Sequence, residues 1–194
     1  MYEYIKGTVA EATPTYVVVE CGGIGYYVNV TLNTYSRLAA GQDVLLYLHL
    51  IVREDAHLLY GFFTREERAL FRQLISVSGI GANTAGVVLS SMTVDEVVNA
   101  IVTENVNAIK SVKGIGLKTA QRVIIELKDK VAGMGSGAVE FVPAGKSAVK
   151  EEALAALVML GFVRGQASKV LDKLVASNPS QTVEELIKAA LKQL

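Results

Sequence analysis

A chain of 194 residues, 51% hydrophobic and 20% charged, can bury a sizeable core and divide into one to three small domains. No apolar run reaches the ~18 residues of a membrane span, and the N-terminus lacks a basic stretch followed by an apolar one, so a cytoplasmic protein is expected. Cys21 is the only cysteine, which excludes an internal disulfide framework and a cysteine zinc cluster, and the two histidines, His49 and His57, fit structural roles in strand-like stretches better than a metal site.

Formal net charge is zero, but it is unevenly spread. Residues 1–63 carry three Lys/Arg against six Asp/Glu, residues 64–133 nine against seven, and the remainder seven against six. The middle is the most basic part of the chain.

From Met1 to Phe63 the pattern is β. Tyr4 to Val9, Tyr16 to Glu20, Tyr26 to Val30, Val44 to Val52 and Leu58 to Phe63 are rich in Val, Ile, Leu and Tyr. Thr13-Pro14-Thr15 and Gly22-Gly23-Ile24-Gly25 break them, and Asn33 to Ala40 reads as a short helix ending at Gly41. Five or six short strands in this span predict a small closed barrel of the OB type over residues 1–63, in which closure removes exposed sheet edges.

At Thr64 the period changes from two to 3.6. Thr64-Arg65-Glu66-Glu67 has the spacing of a capping box, in which the threonine oxygen accepts from the Glu67 amide and the carboxylate reaches back. Leu70, Phe71, Leu74 and Ile75 then form one apolar stripe. Thr93-Val94-Asp95-Glu96 is a second such box. An all-helical domain is predicted over 64–132.

Within it lies an internal repeat. Ser78-Gly79-Ile80-Gly81-Ala82-Asn83-Thr84-Ala85 recurs 35 residues on as Lys113-Gly114-Ile115-Gly116-Leu117-Lys118-Thr119-Ala120, each copy between two apolar helical runs. Glycine permits φ > 0 and close backbone approach, and the helix that follows offers amide N–H groups without intrahelical partners, which attract phosphate oxygens. A P-loop is excluded because Leu117 separates Gly116 from Lys118, and a dinucleotide fingerprint because Thr84 and Thr119 stand where a third glycine is needed. The pattern resembles the helix-hairpin-helix motif, which grips DNA through hairpin amides without reading bases. The candidate DNA-binding residues are Gly79, Gly81, Asn83, Thr84, Gly114, Gly116, Lys118, Thr119 and Arg122.

The last helix of this region should stop at Gly133-Met134-Gly135-Ser136-Gly137, and residues 133–147 read as a flexible linker. Three short helices are expected over 148–194: Val149 to Leu160, Gln166 to Ala176, and one from Val183 that is capped by Thr182 in a third box with Glu185. Such a small bundle has a marginal core, which leaves apolar groups such as Phe162 and Leu191 available to a partner.

Barrel, paired hairpins, linker and helical tail, in that order, resemble the RuvA family of Holliday junction-binding subunits along the whole chain. The most specific pieces are Met1-Tyr2-Glu3-Tyr4-Ile5-Lys6-Gly7, Val52-Arg53-Glu54-Asp55-Ala56 with Leu59-Tyr60-Gly61-Phe62, the second hairpin, and Leu157-Val158-Met159-Leu160-Gly161-Phe162. The resemblance implies a homotetramer, single or double, that holds the four arms of a junction on a basic face. Glu54 and Asp55 match the family's acidic pin, which as eight carboxylates at the centre of a tetramer would repel phosphates at the crossover. It also implies that the tail contacts the RuvB ATPase motor, with Leu157, Leu160, Phe162 and Leu191 on the contact surface, and that the RuvC junction resolvase is a further partner. One departure stands out. Where the family's first hairpin often carries lysine, this chain has Asn83, so that hairpin should rely more on its amides.

The expected function is therefore a DNA-junction binder without catalytic residues, metal or cofactor. An enzyme of the glycosylase, ligase or nuclease kind is the alternative, but Asp95, Glu96 and Glu104 sit around helix starts, where capping accounts for them. A repair adaptor whose barrel binds single strands fits poorly with the acidic balance of residues 1–63.

Overall fold

The computed structural model describes residues 2–131, 146–178 and 181–194. Alternation of apolar and polar positions builds five strands, β1 (Tyr4–Ala12), β2 (Tyr16–Cys21), β3 (Ile24–Val30), β4 (Asp43–Val52) and β5 (His57–Phe62). Ile5, Val9, Val17, Val19, Val28, Val44, Leu46 and Leu48 point inward and form one core. The strands close in the order β1-β2-β3-β5-β4, with β4 returning antiparallel to β1 and with β3 and β5 parallel. Closure is tight. A Cβ on Gly7 would lie 2.1 Å from the Glu20 carbonyl oxygen, and one on Gly61 2.5 Å from Val28 Cγ1, so glycine is required where strands approach most closely.

The helix expected from Asn33 to Ala40 is shorter, α1 (Leu32–Tyr35). Beyond Tyr35 the chain turns through the bonds Arg37 N–H to Thr34 O (3.1 Å) and Leu38 N–H to Tyr35 O (2.9 Å). Gly41 N–H then donates to Val9 O, and Val9 N–H to Gln42 O. Capture by the β1 backbone takes this segment out of the helix.

The helical region comprises α2 (Arg65–Ser76), α3 (Ala82–Ser91), α4 (Val94–Val102), α5 (Val106–Lys110) and α6 (Leu117–Val131). Its core includes Leu70, Phe71, Leu74, Val88, Leu89, Ile101, Val123 and Leu127, and it extends back to Tyr60 and Phe62 of β5. One strand thus serves both layers, and the barrel and α2 to α6 form one compact unit.

Two buried charged residues join the layers. Thr64 Oγ1 accepts from the Glu67 amide at 3.1 Å, as expected. The Glu67 carboxylate, however, does not reach back; it turns to α1 and accepts from the hydroxyls of Thr31 and Thr34. Next to it, Arg68 donates to the carbonyls of Glu3 (2.7 Å) and Leu48 (3.3 Å) and ion-pairs with the Glu3 carboxylate. The boxes at Thr93/Glu96 and Thr182/Glu185 are both complete.

A second unit contains α7 (Lys146–Met159), α8 (Arg164–Ser177) and α9 (Val183–Ala190) around Ala153, Leu154, Leu157, Ala167, Leu171, Leu186 and Ala190. The expected linker over 133–147 falls outside the described residues except at Lys146 and Ser147, which begin α7 three residues before the expected start at Val149. A Schellman turn stops α7: Phe162 N–H donates to Leu157 O at 3.1 Å and Gly161 N–H to Val158 O at 3.0 Å, with Gly161 at φ +97. Among the described residues, no single helix is long and apolar enough to cross a membrane.

Candidate nucleic-acid interface

The two sequence repeats fold into matching hairpins. α2 leads into the first and α3 out of it; α5 leads into the second and α6 out. Ile80 N–H donates to Val77 O at 3.0 Å, and Ile115 N–H to Val112 O at 3.1 Å. Ala85 N–H donates to Gly81 O and Ala120 N–H to Gly116 O, both at 2.9 Å. The isoleucine between each glycine pair is buried and anchors its turn. Gly79 lies at φ +94 and Gly114 at φ +93, a conformation that side chains at Cβ disfavour.

The hairpins also face each other. A Cβ on Gly79 would lie 3.7 Å from Thr119 Oγ1, and one on Gly114 4.0 Å from Thr84 Cγ2. Each glycine of one copy therefore sits beside the threonine of the other, and Thr84 and Thr119 are half-buried at that contact. Gly81 and Gly116, in contrast, have nothing within 4 Å of a would-be Cβ. Gly81 caps α3 without a side-chain cap bond, so the first amides of α3 are left to an external acceptor.

The remaining expected DNA-binding side chains divide. Lys118 is exposed on the first turn of α6. Arg122 reaches across, its Nη1 donating to the Ser78 carbonyl at 3.1 Å, with Glu126 Oε1 3.9 Å from its Nε. It ties one hairpin to the other. Asn83 Oδ1 accepts from the Tyr60 hydroxyl at 3.2 Å, and burial pushes the Tyr60 pKa up from its ordinary value. The sequence names Tyr60 only as part of Leu59-Tyr60-Gly61-Phe62 and gives it no site role, because strand alternation gives no sign that its ring lies between barrel and hairpin.

Glu54 and Asp55 occupy the exposed tip of a tight turn between β4 and β5, closed by Arg53 N–H to Ala56 O at 2.8 Å. Strand β5 runs from this turn to Tyr60, the partner of Asn83.

In the second unit one expectation needs correction. The resemblance puts Leu157 on the contact surface, but it is 0% exposed and lies at the centre of the bundle core. Phe162 packs against that core beside the Schellman turn. Leu160 and Leu191 are exposed, and so are Val158, Met159 and Val163, which the sequence reading did not nominate. Met159 is the most open, at 88%.

Among the described residues, no group of three or more His, Cys, Asp or Glu is placed to hold a metal ion. Comparison with known families matches the RuvA N-terminal domain over residues 1–61, a SAM-like helix-hairpin-helix tandem over 71–129, and the RuvA C-terminal domain over 148–194. Curated relatives named Holliday junction branch migration complex subunit RuvA align over the full length of both chains: 52% identical over 194 residues in Christiangramia forsetii, and 49% over 201 residues in Bacteroides fragilis. The relative from Flavobacterium psychrophilum is 49% identical over 195 residues, again covering both chains completely.

Proposed function

The chain belongs to the RuvA family, and from that premise we propose that it is a non-catalytic subunit that binds four-way DNA junctions in the cytoplasm and recruits a motor for branch migration. The observation that carries the reading is the pair of facing hairpins with open glycines at Gly81 and Gly116. Their amides suit phosphate oxygens on both strands of a duplex arm, and Lys118 adds one cation. Such contacts ignore sequence and weaken steeply with salt.

As a homotetramer the protein holds one arm per subunit. Glu54 and Asp55 at the tip of the β4–β5 turn bring negative charge to the crossover and repel phosphates there. The second unit engages the RuvB ATPase through its exposed apolar residues, and the RuvC resolvase acts on the same junction. Sedimentation with and without junction DNA separates a single tetramer from a double one.

A gel shift comparing a four-way junction, linear duplex and single strand, with a cleavage control, tests the proposal. The expected result is junction binding in preference to both others, uncleaved DNA, and affinity that falls with salt. Equal affinity for junction and duplex across salt would sink it, and cleavage or base excision would favour an enzyme.

A further inference from the structure

The repeat makes Asn83 and Lys118 equivalent, 35 residues apart, and both are exposed, yet what they touch differs. Asn83 lies at the edge of a groove between the barrel and α3, with Asn29, Thr31, Tyr60, Gly86 and Ser90 also lining it. There its Oδ1 receives the Tyr60 hydroxyl at 3.2 Å, while the Tyr60 ring packs on Phe71 with centroids 5.1 Å apart and is only 9% exposed. A lysine has three donors and no acceptor, so at position 83 it could not receive the proton of this phenol. Asparagine supplies the acceptor, and its Nδ2 makes no hydrogen bond among the described residues.

The first hairpin is held from the other side as well. Arg122 of α6 donates to the Ser78 carbonyl at 3.1 Å. Its counterpart in the first copy, 35 residues earlier, is Val87, which cannot return the bond to the second hairpin. The two hairpins match in backbone and differ in restraint.

Resting on the junction-binding reading above, we propose that Asn83 is a positioning residue: through the Tyr60 hydroxyl it fixes the first hairpin to the strand that carries the acidic turn, and it leaves the cationic contact to Lys118. The first hairpin is thus the uncharged, fixed half of the grip. The geometry it holds matters for choosing a junction over a duplex more than for affinity to any phosphate.

The test uses the full-length protein and the variants Tyr60→Phe, Asn83→Ala, Asn83→Asp and Lys118→Ala. Without DNA, amide exchange at Ile80 and Ala85 should speed up on the order of tenfold in Tyr60→Phe and Asn83→Ala, the effect of losing one hydrogen bond. Ile115 and Ala120 should not change, and Asn83→Asp, which keeps the acceptor, should retain protection. With DNA, Tyr60→Phe and Asn83→Ala should narrow the junction-over-duplex ratio at unchanged salt slope, and the double variant should be no worse than either single. Lys118→Ala should lower the slope by about one phosphate contact. Unchanged exchange at Ile80 and Ala85 in Tyr60→Phe would overturn the proposal, as would a lowered salt slope in Asn83→Ala. Should the wild type itself show no junction preference, the functional reading fails, while the exchange measurement still decides whether Tyr60 and Asn83 fix the hairpin.

Discussion

On β4, the His49 ring is half-buried, edge-on to Phe71 at 5.6 Å, and its Nδ1 accepts from Arg72 Nε at 3.3 Å. Burial, and then the Arg72 and Arg68 guanidiniums, hold its pKa below the ordinary 6.5. Protonation would remove the acceptor and set a cation against two others. The unfolded chain takes up this proton near the ordinary value while the folded chain resists it, so stability is fully present above that value and falls as pH drops through the window beneath it. The hydrogen bond from Arg68 lowers the pKa of the nearby Glu3 carboxylate, whose own contribution is lost only as pH falls below the ordinary carboxylate value. Melting temperature should therefore fall as pH drops below the ordinary histidine value, and His49→Gln should flatten the fall. Equal slopes in the two proteins would remove His49 as the cause. Glu67 shows where local reading stops. Its spacing from Thr64 is that of a capping box, and half the box forms, but its carboxylate goes to Thr31 and Thr34, more than 30 residues away in sequence. A four-residue pattern contains the helix start and nothing about a partner brought in by barrel closure.

At the scale of elements, the glycines of one hairpin do two different jobs, and substitution separates them. Gly114 needs its φ of +93, whereas a Cβ on Gly116 meets nothing within 4 Å. Gly114→Ala should cost about 1–3 kcal/mol of stability through backbone strain. Gly116→Ala should melt near the wild type and still bind junctions roughly tenfold or more weakly, because its methyl group stands where a phosphate oxygen would approach the amide. Thermal melts beside gel shifts decide, and wild-type affinity in Gly116→Ala would mean that this amide does not touch DNA. The hairpins were legible because glycine at fixed offsets reports backbone conformation directly, and a repeat doubles the signal. The end of α1 was not, since Gly41 and Gln42 bond to Val9 of another strand, a pairing that helical periodicity over Asn33 to Ala40 cannot reveal.

For the whole molecule, the order of parts was readable because the hydrophobic period changes at Thr64 and a glycine-rich run follows the second hairpin, and each of the two units has its own core. What the sequence obscured is which side of α7 faces out. In Leu157-Val158-Met159-Leu160-Gly161-Phe162 every residue except Gly161 is apolar, so composition does not separate core from surface, and the Schellman turn at Gly161 sends Leu157 and Phe162 inward while Met159 and Leu160 stay out. The glycine in this motif is accounted for by the helix stop alone. Core and contact roles are separable by substitution. Leu157→Ala should cost the bundle about 2–5 kcal/mol, seen as lost helical circular dichroism from the second unit. Met159→Ser and Leu160→Ser should leave the bundle folded and junction binding intact, because both side chains lie outside the core. If the motor covers them, each should weaken its recruitment by on the order of 1–3 kcal/mol. Stimulation of the motor's ATPase by the folded double variant, measured on junction DNA, is the deciding quantity: it should drop well below that of the wild type. Undiminished stimulation would move the motor contact off the end of α7.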